Sequence, residues 1–219
     1  MIHENVVRLS EFAELQKQEK VATGVAPFDE LTGGLVRGGI CEFFGKKGSG
    51  KRSVVFALLA AMTREGKICT VVDTSNSFDP VSAEKAGIDL DRIFWVRCDS
   101  DPQKAVLATD YLVQSRLFGG IWLDMSLSEK NFLDRMPNSY WFRFKVGIKD
   151  SPSHLLVTLE EGRLRSACQQ SVYVSKDRNG WEGDSCFRVI RHGSLSLEMV
   201  RPSSGKEVST GIKGMEGIY

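Results

Sequence analysis

The chain has 219 residues, a formal net charge of +1 and 42% hydrophobic residues. That suits one α/β core with short appendages, and a near-neutral total leaves no global electrostatic footprint for nucleic acid. No run is long and apolar enough to span a membrane, and the start, M-I-H-E-N-V-V-R-L-S, lacks the apolar centre of a leader. The five cysteines (Cys41, Cys69, Cys98, Cys168, Cys186) are scattered without a C-x-x-C pair. A cytoplasmic protein with reduced thiols is expected, with neither a disulfide framework nor a metal site.

In chain order, residues 5–19 read as a short polar helix with Ser10 as N-cap. It forms an N-terminal segment (1–20), ahead of a core domain (21–201) and a flexible Gly/Ser/Lys/Glu-rich tail (202–219). A short helix at Pro27–Leu31 lies between the turn-rich Thr23-Gly24 and Thr32-Gly33-Gly34. Gly39-Ile40-Cys41-Glu42-Phe43-Phe44 reads as a buried strand, and Val54 to Met62 as a buried helix. Further strands follow at Ile68–Asp73, Ile93–Arg97 and Gly120–Asp124, with helices at Pro80–Lys85 and 102–116 between them. Such alternation implies βαβ units and a parallel, doubly wound sheet with helices on both faces. The second half adds a helix at Asn138–Val146 and strands at His154–Leu159 and Ser171–Val174. Cys186–Arg191 and Ser196–Arg201, joined across His192-Gly193, read as an antiparallel edge hairpin.

Chemistry concentrates in Gly45-Lys46-Lys47-Gly48-Ser49-Gly50-Lys51-Arg52, which follows a strand and opens a helix. It is the pattern G-x-x-x-x-G-K-[ST], whose amides cradle phosphate oxygens and whose lysine reaches the β- and γ-phosphates. Its last position fails: Arg52 stands where a hydroxyl should hold Mg²⁺. An arginine there serves as a built-in cation near the phosphates or simply fills the site. Ser53 is the other candidate for the hydroxyl, but successive helix positions point about 100° apart. The expected phosphate-binding residues are therefore Gly45 to Ser53 together with Asp124 at a strand end. The cofactor to look for is ATP or ADP, with Arg52 weighing against Mg²⁺, and no residue is assigned as catalytic.

Several blocks in order resemble the bacterial RecA family: Ala22-Thr23-Gly24, Phe28-Asp29, Gly33-Gly34-Leu35, Gly38-Gly39, the phosphate loop, and Val71 to Pro80. Leu123-Asp124 resembles the Walker B strand of that family. The resemblance implies a RecA-like α/β fold. It also implies that an acidic residue two places beyond Asp73 should polarise the attacking water. Ser75 stands there and is no carboxylate base at neutral pH. The other readings are that Asp73 or Asp79 does this work, and that Asp124 is merely a strand-end acid.

The second half, with Met136-Pro137-Asn138-Ser139-Tyr140-Trp141-Phe142-Arg143-Phe144, resembles the ImuA proteins of bacterial mutagenesis cassettes, which are related to SulA-type cell-division inhibitors. That resemblance implies an accessory to error-prone translesion synthesis in the DNA-damage (SOS) response. Its partners would be an ImuB-like protein, a replicative-type polymerase and RecA itself. The segments matching the DNA loops of RecA, Met125–Pro137 and Glu160–Arg165, are short and mixed in sign, which weighs against single-stranded DNA. Arg143, Lys145, Lys149, Arg163 and Arg165 form either a basic strip or scattered surface charge. The rival functions are a DNA-dependent ATPase or recombinase and a SulA-like division inhibitor. For Trp141 and Phe142 the plain expectation is the buried face of a helix.

Overall fold

The computed structural model describes residues 19–176, 180–182, 189–202 and 207–212. Strand β1 (Lys20–Val21) pairs antiparallel with β2 (Leu35–Val36) around helix α1 (Ala26–Thr32). The main sheet is built from β3 (Ile40–Phe44), β4 (Cys69–Asp73), β5 (Ile93–Arg97), β6 (Gly120–Asp124), β7 (His154–Leu159) and β8 (Gln170–Lys176). It is extended by β9 (Gly180–Glu182), β10 (Val189–Arg201) and β11 (Glu207–Ile212). The spatial order is β11-β10-β8-β3-β7-β6-β4-β5, with β9 also on β10. From β8 to β5 every neighbouring pair is parallel, while β10 runs antiparallel to β8 and β11.

The helices are α2 (Lys51–Arg64), α3 (Pro80–Lys85), α4 (Pro102–Ser115), α5 (Lys130–Arg135) and α6 (Asn138–Ile148). Alternate residues of the buried strands feed two cores. Cys41, Phe43, Val71, Trp122 and Leu156 pack with α1 and α2, whereas Ile40, Val72, Ile121, Leu123 and Leu155 pack with α4 and α6. The α/β architecture with a mostly parallel sheet, helices on both faces and an antiparallel edge is therefore present. Local chemistry fixes where the helices begin. Asp79 and Asp101 accept N–H bonds from the first turns of α3 and α4, and each precedes a proline at the first helical position.

Expectation and structure part in four places. His192-Gly193 is no turn, because β10 runs through it, with His192 paired to Gly180 of β9 and Gly193 to Ile212 of β11. The tail expected to be unstructured from residue 202 contains β11, which pairs along β10 from Glu198↔Glu207 to Gly193↔Ile212. Helix α5 lies within a segment read only as a loop. Strand β5 is present as expected and lies at the sheet edge, its Phe94 54% exposed. Of the aromatic pair on α6, Trp141 is buried and Phe142 exposed. The helix expected over 5–19 and the strand expected over 186–188 lie outside the described residues. No helix among the described residues is long and apolar enough to cross a membrane. Cys41, Cys69, Cys98 and Cys168 are buried thiols outside any disulfide, and burial pushes those of Cys69 and Cys98 up to about 11 and that of Cys168 to about 12. They pack as small hydrophobes, since the reactive thiolate is suppressed.

Candidate functional site

The glycine loop bridges β3, buried between β7 and β8, and the start of α2. Two glycines are required by their surroundings. A Cβ on Gly45 would lie 2.2 Å from the Val174 carbonyl oxygen, and one on Gly50 (φ +90°) would lie 2.3 Å from Leu195 Cδ2. Lys51, only 6% exposed, turns its Nζ back to donate to the carbonyls of Gly45 (2.9 Å) and Lys46 (3.3 Å). Burial pulls its pKa below the ordinary lysine value; Asp124 and Glu160 act the other way, and Arg52 adds to the lowering. Ser49 Oγ is buried without a hydrogen-bond partner. The start of α2 has no side-chain cap and no acid in its first turn, so its amide dipoles are left for an anion. Lys46, Lys47 and Gly48 lie exposed on the rim.

Arg52 does not leave the site. Its Nη1 donates to the Ser77 carbonyl at 2.7 Å, and Nη2 donates to Ser77 Oγ at 2.7 Å and to Asp124 Oδ2 at 2.9 Å. The guanidinium carbon also lies 5.9 Å from the Trp122 ring centre. Asp124, 4% exposed, is saturated on its other oxygen, where Thr158 Oγ1 donates at 2.7 Å and the Ser126 amide at 3.0 Å. Thr158 in turn accepts from Trp122 Nε1 at 3.0 Å. Asp124 is thus an ion-pair partner within the loop site, beyond merely capping a strand end. The helix adjustment that would bring Ser53 forward is not seen, since Arg52 meets Asp124 and the Ser53 amide bonds to the Gly50 carbonyl.

The replacement acids are not available either. Asp73 is fully buried and accepts from the amides of Ser77 and Phe78 (both 2.9 Å) and from Trp95 Nε1 (3.2 Å). Its carboxylate shapes the turn that delivers Ser77 to Arg52. Asp79 is occupied in capping α3. Ser77, Thr158, Trp122 and Trp95 are contributors that sequence reasoning missed. Ser77 lies inside the quoted block, but nothing in its identity announces an arginine partner. Thr158 faces Asp124 only because β6 and β7 pair Asp124↔Thr158.

The segments 125–137 and 160–165 are tied to each other. Lys130 pairs with Glu161 at 3.2 Å, and Arg163 pairs with Asp134 and, at 3.5 Å, with Glu161. Arg143 binds Asp110 at 2.6 Å, and Lys145 donates to the Ser166 carbonyl. Arg143, Lys145 and Arg163 are therefore engaged by local partners.

A model of the RecA N-terminal domain matches residues 2–126. Protein RecA of Methylobacterium radiotolerans and Protein RecA of Brucella canis are each 34% identical over 113 residues, which is 51% of this chain and 31% of theirs. The match thus spans about a third of the length of these curated relatives.

Proposed function

We propose that this chain, which belongs to the RecA N-terminal domain family, is a non-hydrolysing member of it: a RecA-like adaptor of the ImuA type. In that role it supports error-prone translesion DNA synthesis after DNA damage through protein contacts. The ion pair of Arg52 with Asp124 is the observation that carries the proposal. Phosphoryl transfer on this scaffold depends on a positioned metal ion and a positioned water, with little covalent work by the protein. Here a guanidinium holds the acid on the metal side, and Ser75 supplies no carboxylate for the water. A glycine loop stripped of both parts keeps a shape and a charge, and those serve binding. Support for ImuA in particular is the residue pattern from Met136 to Phe144, whose Trp141 anchors α6 while Phe142 stays outside.

The partners proposed are an ImuB-like protein, a replicative-type polymerase and RecA. The test has two arms. Purified protein with ATP, Mg²⁺ and single-stranded DNA should release phosphate no faster than its Lys51→Ala variant, whereas turnover near about one per second that Lys51→Ala abolishes would establish a working ATPase. Pull-down of the three partners, with deletions of residues 1–20 and of 203–219, should show at least one partner bound. Capture of a cell-division protein in place of all three would establish the SulA-like alternative.

A further inference from the structure

We propose that Arg52 takes the place of the divalent cation, so that the glycine loop binds the phosphate chain of a nucleoside di- or triphosphate without metal. Mg²⁺ itself does not fit these residues. Asp124 receives four donors: Arg52 Nη2 at 2.9 Å and Ser77 Oγ at 3.4 Å on one oxygen, Thr158 Oγ1 and the Ser126 amide on the other. The loop hydroxyl that would complete a metal site is an arginine, and a fixed guanidinium repels a second cation at this range.

A phosphate chain does fit. Ser49 is 94% buried by its 6% exposure, and its hydroxyl has no partner, a costly state that an anion's oxygen relieves. Beside it lie the uncapped start of α2, a helix of 14 residues, and the ammonium of Lys51. Arg52 has five N–H groups, of which three are used by Ser77 and Asp124. The rest stay free to donate to a phosphate oxygen, and the side chain is 36% exposed. Its geometry is set in advance by the Ser77 clamp and by Trp122, so little ordering remains to be done on binding. The N–H groups left are Nε–H and one on Nη1, and a single hydrogen bond from a cationic donor to a phosphate oxygen is already about twice as strong as a neutral one.

This shares with the adaptor proposal only the lack of hydrolysis, and binding is read separately from turnover and from partner capture. The full-length chain is titrated calorimetrically with ATP and with ADP, once in EDTA and once in excess Mg²⁺. Binding should be fully present in EDTA, and excess Mg²⁺ should not tighten it and should weaken that of ATP, because the metal chelates the phosphate chain in solution while none takes part at the site. Inorganic tripolyphosphate should displace the nucleotide, showing that the phosphate chain is what the loop recognises. Arg52→Thr, which restores the hydroxyl, should weaken binding in EDTA about tenfold or more and make it tighten with Mg²⁺. Arg52→Lys should bind in EDTA more tightly than Arg52→Thr. Absence of binding in EDTA by the unaltered chain, binding that demands Mg²⁺, or failure of tripolyphosphate to compete would each overturn the proposal, and none of these needs a variant to fold.

Discussion

Glu42 and Ser171 meet at 2.7 Å inside the sheet, where β3 and β8 lie in register. Glu42 is 1% exposed, yet its carboxylate is satisfied: its other oxygen accepts the amides of Arg163 at 2.6 Å and Leu164 at 3.0 Å. The acid thereby ties down the segment after β7. A strand that ends in the phosphate loop thus also fixes the neighbouring loop.

Glu42→Ala should lower unfolding stability by about 3 kcal/mol, since it leaves two buried amides and a hydroxyl without their acceptor. Glu42→Gln keeps one acceptor oxygen and should cost about half as much. Urea midpoints measure both. Equal losses for Ala and Gln would mean that the carboxylate's charge, and not its acceptor count, is what matters.

The Arg52–Asp124 contact should show as a coupling energy. Arg52→Met and Asp124→Asn should each destabilise, the second by about 1–3 kcal/mol because Thr158 and Ser126 lose part of their acceptor. The double variant should lose less than the sum, by about 1 kcal/mol, as contacting residues do. Strict additivity in urea unfolding would mean that the pair contributes nothing beyond its separate parts.

His154 makes stability depend on pH. It is buried in β7, with Nδ1 3.0 Å from the Val36 carbonyl. Burial pulls its pKa below the usual value, the bond to Val36 opposes this, and Lys67 and Arg37 add to the lowering. The unfolded chain therefore holds the extra proton over a range in which the folded chain does not, and stability rises with pH across that range. The contribution is fully present above about pH 6.5 and is lost as pH falls toward the folded-state value. Urea midpoints at about pH 7.5 and about pH 5.5 should differ less in His154→Gln than in the parent, by the share of this one proton. An identical difference in both proteins would remove His154 as a cause.

What was legible in the sequence follows the physics of buried parallel strands. Ile40–Phe44 and Gly120–Asp124 read as near-continuous apolar runs because both their faces are covered, and both are strands of one sheet. Arg52 was legible as a broken pattern, though its contact with Ser77 was not, because that contact depends on the turn built around Asp73. His192-Gly193 misleads for a related reason. A turn-prone dipeptide yields when neighbouring strands, here β9 and β11, offer it a ladder, and the sequence does not say which strands those are. Thr158 is the plainest case, since its role exists only once β7 lies beside β6.

Gly50 and Gly48 offer a contrast within one loop. Both have positive φ, +90° and +77°, so alanine at either pays the left-handed strain of about 1–2 kcal/mol. At Gly48 a Cβ meets nothing within 4 Å, and the cost should stop there. At Gly50 it would meet the Leu195 side chain at 2.3 Å, and Leu195 is itself buried in the core. Overpacking should therefore add about 1–3 kcal/mol to Gly50→Ala. Leu195→Ala alone should cost about 2–5 kcal/mol through the cavity it opens, yet combined with Gly50→Ala it should cost less than the sum, since each change relieves the other. Urea unfolding of the four variants decides the matter. If Gly50→Ala is no worse than Gly48→Ala, then β10 does not press on the phosphate loop in solution as it does here.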